Sequence, residues 1–234
     1  IIFKMFDVIA RASHHTYLLL TKRPERMRRF FQLCEDWDPS EWPNVWLGVT
    51  AENQSRADER IPILQQIPAA VRFVSVEPML GPVDLTTVID KHTDHFTFGD
   101  ENVHEEYLYT NALTGRQYFK GGYLPHEKLD WVICGGETGP GARPMHPDWA
   151  RSLRDQCQSA GVPFFFKSWG EYAEFIVNGK DGFTKDHFWL DRSGDVWPQS
   201  DAQSDDCVCL KNVGKKRAGD LIDGKQYHEY PEGR

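Results

Sequence analysis

The sequence predicts an α/β protein, a partial (β/α) TIM-like barrel with an inserted segment and a small C-terminal β-rich tail. Three observations predict it. Short apolar runs recur at residues 17–20, 45–49, 71–76, 131–134 and 164–166. Each is too short for a helix and none alternates cleanly with polar residues, as in parallel strands covered on both faces. Helical stretches with start and stop signals lie between the runs. Run starts near residues 17, 45, 71, 131 and 163 give steps of 28, 26, 60 and 32, against roughly 31 residues per unit in a ~250-residue barrel of eight units. Periodicity alone leaves a doubly wound open sheet as the alternative.

In chain order, Ile2, Phe6, Ile9 and Ala10 recur at helical spacing with no capping Ser, Thr or Asp in front. That start, and five strands where a closed barrel needs eight, predict that N-terminal units precede Ile1. Pro24 suits a first helical position and opens a stretch with Met27, Phe30, Phe31 and Cys34 on one side. Asn53 is placed to cap a helix carrying Ala57, Ile61 and Leu64, with Pro62 marking a break or a second short helix. The long step holds a unit plus an insertion at about 87–128, polar and aromatic, read as a hairpin or a lid over the site. Pro147 opens the clearest helix, with Ala150, Leu153 and Cys157 on one face and Gly161 at its end. The barrel part is read as residues 1–172 and the tail as 173–234. In the tail, residues 188–190 and 196–198 read as a hairpin, and residues 214–220 as a basic loop.

Composition limits the function classes. Hydrophobic residues make up 40% and charged residues 26%, a globular balance. A net charge of −8 disfavours bulk attraction to nucleic acid and leaves room only for a local basic patch. No apolar run approaches the ~18 residues of a membrane helix, so no membrane partner is expected. Five scattered cysteines (Cys34, Cys134, Cys157, Cys207, Cys209) read as thiols of a reducing cytoplasm, not a disulfide framework.

In parallel α/β folds ligands bind at the carboxyl ends of the strands. The residues there are Lys22 and Arg23, then Glu52, then Glu77, then the Gly-rich segment 135–144 with Gly135, Gly136, Glu137 and Arg143, then Lys167 and Glu171. Opposite charges converging on one mouth shift one another's ionisation; taken singly, each could merely meet water or cap a helix. The Gly-rich segment reads either as a backbone cradle for an anion or as a tight turn, and Glu137 and Arg143 favour the cradle because a turn needs neither. Lys215, Lys216 and Arg217 read as a phosphate contact or a solvated loop. Metal sites are weakly supported: Cys207-x-Cys209 is too closely spaced for a zinc pair, and His92, Asp94 and His95 lie in the insertion.

Several of these blocks together resemble one family. They are residues 18–24 (Leu-Leu-Leu-Thr-Lys-Arg-Pro), residues 46–54 with Ala57, Asp58, Arg60, Ile61 and Pro62, residues 72–83, residues 135–143, residues 164–170, and Gly214-Lys215-Lys216 with residues 221–224. The set is similar to the phage and prophage three-cysteine-motif proteins, a domain of unknown function resembling radical S-adenosylmethionine enzymes. The resemblance covers most of residues 5–85, 129–172 and 213–231. It implies a barrel of the radical-S-adenosylmethionine type, whose cysteine cluster would lie upstream of the 21–24 block. That cluster would hold a [4Fe–4S] centre that binds and reduces S-adenosylmethionine; none of the five cysteines here matches it. It further implies a substrate that is a small molecule, a nucleobase or nucleic-acid-related, and a possible partner protein encoded nearby.

On this reading Lys22, Glu77 and Lys167 are the catalytic candidates. Glu52, Gly135, Gly136, Glu137 and Arg143 are the cofactor-binding ones. Two other functions compete: a cluster-free barrel hydrolase or lyase using a carboxylate base and a Lys electrophile, and a non-enzymatic accessory module binding through the insertion and the basic tail.

Overall fold

The computed structural model describes residues 2–33, 39–90, 108–119, 122–175, 187–197 and 207–231. Cys34, His92, Asp94, His95, Tyr107, residues 178–182 and Pro198 lie outside them. The centre is a parallel sheet of β1 (Tyr17–Thr21), β2 (Val45–Thr50), β3 (Val71–Val76), β8 (Trp131–Gly135) and β9 (Phe164–Ser168). Its order is β1-β2-β3-β8-β9, which is the order along the chain, so the described sheet has no reversal and no doubly wound switch point.

Helices α1 (Ile2–Arg11), α2 (Pro24–Leu33), α3 (Gln54–Gln65) and α4 (Pro147–Ala160) connect or flank these strands. Val45, Leu47, Val49, Val74, Val76, Val132, Cys134, Phe164 and Phe166 share one continuous core with Phe6, Ile61, Leu64, Leu153 and Cys157 of the helices. The opposite face carries a separate cluster of Trp46, Val71, Phe73 and Trp131, to which no helix among the described residues contributes. One helix-covered face and one helix-free face follow from the period of two along each strand.

The local signals explain the boundaries. Asn53 caps α3, its side chain accepting from the Arg56 N–H. Pro62 does not break α3, contrary to the sequence expectation. Ala57, Ile61 and Leu64 are buried, and that burial outweighs the ~3 kcal/mol of an interior proline. Pro147 opens α4, His146 caps it through Nδ1, and Gly161 ends it in the left-handed conformation at φ 66°. β1 departs from the covered-strand reading: Leu18 and Leu20 on the helix-free face are 45% and 50% exposed. The other edge of the sheet is covered, because the chain around His228 pairs antiparallel with β9.

Gly48 of β2 is fixed by its neighbour. It lies in register with Phe73, and a Cβ at Gly48 would stand 2.5 Å from Phe73 Cε1 and Cε2. Phe73 is 1% exposed and has little room to move. Gly48→Ala is expected to cost about 2 kcal/mol, read as a lower denaturant midpoint with an unchanged slope.

The insertion is a four-stranded antiparallel sheet of β4 (Val88–Asp90), β5 (Leu108–Asn111), β6 (Arg116–Phe119) and β7 (Gly122–Pro125). Its described part packs on α3, where Asp58 accepts from the Ile89 N–H, and Arg72 binds Glu127 near the amino end of β3. These residues thus pack on the helix side of the parallel sheet, as a sheet rather than a simple hairpin.

In the tail, β10 (Tyr172–Glu174), β11 (His187–Leu190), β12 (Val196–Trp197) and β13 (Val208–Asn212) form a second antiparallel sheet, with β11 and β12 paired as expected. It is tied to α4 by Arg151–Glu174, Arg192–Asp148 and the Trp149 indole donating to the Arg192 carbonyl. Helix α5 (Lys215–Ala218) and the short hairpin β14 (Leu221–Ile222) and β15 (Lys225–Gln226) complete the described chain. No helix among the described residues is long and apolar enough to cross a membrane.

Candidate functional site at the carboxyl ends of the strands

Because all five strands run parallel, their carboxyl ends share one edge of the sheet. The segments after β1 and β2 meet there through Glu52. Its carboxylate takes the Lys22 ammonium on one oxygen and Arg60 Nη1, at 2.9 Å, on the other. Burial alone would raise the Glu52 pKa, but the Lys22 hydrogen bond and the Arg60 charge lower it below the usual carboxylate value. Arg60 also donates to the Thr50 carbonyl at 2.7 Å, while its buried Nε has no partner among the described residues. An orphan donor of that kind costs about 1–3 kcal/mol unless water or a ligand meets it. The loop after β3 is held alongside, the Leu80 N–H donating to the Glu52 carbonyl.

Glu77, after β3, pairs with Lys167 of β9 at 2.8 Å. The two strands are not neighbours: β8 lies between them. The pair spans β8 at Gly135, where a Cβ would stand 3.4 Å from both Glu77 Cδ and Lys167 Cβ. Gly135 therefore leaves room for a bridge across the mouth. Lys167 stays half exposed while Glu77 is mostly buried, which leaves the ammonium accessible.

The Gly-rich loop is closed internally. Glu137 grips Arg143 through both carboxylate oxygens, at 2.7 and 2.8 Å, and also takes the Arg143 backbone N–H. The turn thus uses both residues that the sequence reading considered unnecessary to a turn. The Gly136 N–H is spent on the Ser168 carbonyl and the Gly139 N–H on Glu171 Oε1, so neither is open to an external anion. Gly136 is required by close approach: a Cβ there would stand 2.6 Å from the Trp169 carbonyl carbon. Arg143 also feels the Glu52 charge, which joins this loop to the Lys22–Glu52–Arg60 group.

The Arg143 hydrogen bonds lower Glu137 from 4.5 to about 2. A depressed carboxyl pKa contributes stability that is complete above about 4.5 and lost as pH falls through about 2. The Glu137 carboxyl carbon, followed by NMR from pH 6 to 1.5, is expected to titrate well below the exposed glutamates. Arg143→Gln is expected to return it toward the ordinary value.

Every site residue chosen from sequence lies at this edge, and the structure groups them as Lys22 with Glu52, Glu77 with Lys167 beside Gly135, and Glu137 with Arg143 beside Gly136. Two contributors carried no assigned role. Arg60 lies eight residues beyond Glu52, two turns into α3, a spacing that brings it back over the strand end. Glu171 accepts the Gly139 N–H on one oxygen and the Lys215 N–H on the other, clamping the Gly-rich loop to the basic tail loop.

Three of the described cysteines, Cys134, Cys157 and Cys209, are buried thiols ill-suited to ligating an iron–sulfur centre. Cys134 and Cys157 lie in the core with burial raising both thiols, and Cys209 is buried in β13. Burial disfavours the thiolate that ligates metal. No group of three or more metal-ligating side chains is gathered among the described residues. Cation and carboxylate alternate along the mouth.

No match was found among curated proteins or among solved structures. One family model, described as "Protein of unknown function (DUF5131)", matches residues 1–231. With the match spanning nearly the whole chain, the chain belongs to that family of unknown function.

Proposed function

We propose that the chain is the wall of a (β/α)-barrel enzyme of the radical-S-adenosylmethionine type, and that its carboxyl-edge mouth binds a small zwitterionic ligand. S-adenosylmethionine is the ligand implied by the likeness of the sequence blocks. The observation that carries the reading is the Glu77–Lys167 pair spanning Gly135, beside Lys22–Glu52–Arg60, on the edge where parallel α/β sheets bind ligands. The chain order of the sheet and its single helix-covered face support the barrel assignment. Glu52 and Glu77 would take an ammonium or ribose hydroxyls, and Lys167 and Lys22 a carboxylate. Bound S-adenosylmethionine would supply radical chemistry when reduced by one electron from the [4Fe–4S] centre that the likeness places upstream of residues 21–24; this chain's residues would orient it and neutralise its charges.

Equilibrium dialysis with labelled S-adenosylmethionine tests this. Micromolar binding that weakens in Glu52→Gln is the expected result; no binding up to millimolar ligand overturns the cofactor assignment.

A second reading, a cluster-free hydrolase or lyase, draws on the same Glu77–Lys167 pair, with the carboxylate as base and the half-exposed ammonium as electrophile. It requires turnover in metal-free protein that Glu77→Gln abolishes.

A further inference from the structure

The chain carries a net charge of −8, yet three consecutive exposed cations, Lys215, Lys216 and Arg217, stand together beside the mouth. Four other cations of this edge are neutralised: Lys22 and Arg60 by Glu52, Lys167 by Glu77, and Arg143 by Glu137. None of the three tail-loop cations has a carboxylate partner among the described residues, and neither has Arg23 at the end of β1. Like charges in sequence repel, so their crowding is unfavourable without an anion to offset it.

A merely solvated loop has no need of a rigid frame, and this one has a frame. The N–H groups of Val213 and Gly214 donate to the Glu171 carbonyl, and that of Lys215 to the Glu171 carboxylate. The Gly219 carbonyl accepts from the Trp169 N–H, and the Trp169 indole donates to the Leu221 carbonyl. Trp169 and Gly170 themselves abut Gly136 and Glu137. The loop is thus bolted to the mouth through residues 169–171, with the Lys215 and Lys216 side chains left outward, while Arg217 Nε donates to the Val213 carbonyl at 2.7 Å and its terminal nitrogens remain exposed. The Glu171 carboxylate is occupied by backbone N–H groups and leaves the cations unquenched.

We infer that the Lys215–Lys216–Arg217 loop binds the phosphate groups of a ligand seated at the mouth, a nucleotide either free or within a single strand. Several adjacent cations match the spaced charges of phosphates better than one carboxylate. This deepens the proposed function, since it takes the mouth to be the ligand site.

Fluorescence anisotropy with a labelled single-stranded DNA 12-mer, between 50 and 200 mM salt, tests it. Adenosine monophosphate and poly-glutamate serve as competitors. The Lys215→Gln/Lys216→Gln/Arg217→Gln variant is expected to bind at least tenfold more weakly. Its salt slope should be shallower by about 2, three phosphate contacts at ~0.7 each. Lys216→Gln, whose side chain bonds nothing in the described structure, should lose about threefold with an unchanged melting temperature. Competition by adenosine monophosphate identifies the free nucleotide as the source; binding of the strand without that competition identifies the strand. Both outcomes support the inference. Unchanged binding in the triple and single variants, or equal competition by poly-glutamate, overturns it. Absence of phosphate-ligand binding in protein that still binds S-adenosylmethionine overturns this inference alone and leaves the proposed function standing.

Discussion

Gly136→Ala is expected to lower stability by about 3 kcal/mol, at the upper end of what overpacking costs. The added Cβ would press on the Trp169 carbonyl carbon at 2.6 Å and on its oxygen, and a backbone group cannot escape by changing rotamer. Relief requires the ends of β8 and β9 to separate, which strains the Gly136 N–H bond to Ser168 and the two bonds that Glu171 makes to the flanking loops. Gly161→Ala provides the comparison. It sits at φ 66° with open space around its Cβ position, so it loses only about 1 kcal/mol from the left-handed conformation. Urea denaturation of the two variants should reproduce that order. Equal losses would mean that the contact at Gly136 relaxes freely.

The second large effect concerns ligand affinity. Lys167→Met and Glu77→Gln are each expected to weaken ligand binding by 10–100-fold, the equivalent of ~1.5–3 kcal/mol for one charged hydrogen bond. The double variant should lose less than the product of the two, because each single change already breaks the same 2.8 Å bridge. Calorimetric titration of the four proteins closes the cycle. Strict additivity would show that the pair across Gly135 does not act as a unit.

Much of the sheet was legible because buried parallel strands leave a simple trace. The run at 71–76 has the bounds of β3, and the other four differ by one or two residues at their ends. Helix starts at Pro24 and Pro147, the Asn53 cap and the Gly161 stop were equally readable, since each is a local backbone requirement. Pro62 was misread because its cost is local while the burial that offsets it is tertiary. The exposure of Leu18 and Leu20 was hidden for the same reason: β1 has one neighbour among the described residues, and the sequence of a strand does not say where it stands in a sheet.

At the site, the residue types were legible and the pairing was not. Sequence placed Glu77 and Lys167 on one edge, but their bridging depends on the missing side chain of Gly135 on the strand between. The Gly-rich segment reads from sequence either as donors for an anion or as a tight turn, with Glu137 and Arg143 favouring the first. In the structure Gly135 and Gly136 supply space, and the donors of Gly136 and Gly139 are spent within the chain. Glu171 lay within a strand-end segment without a role, since nothing local shows that its two oxygens clamp loops that are distant in sequence.

The carboxyl-edge mouth is the proposed ligand site, and the tryptophan indoles report on it directly. Trp169 lies against Gly136 at the mouth, Trp149 is buried in α4, and Trp197 lies in the tail sheet. Titration of S-adenosylmethionine into tryptophan-labelled protein, followed by two-dimensional NMR, should shift the Trp169 indole saturably while Trp149 and Trp197 hold still. A saturable shift at Trp149 or Trp197 with Trp169 unmoved would place the ligand elsewhere and contradict the assignment of the site.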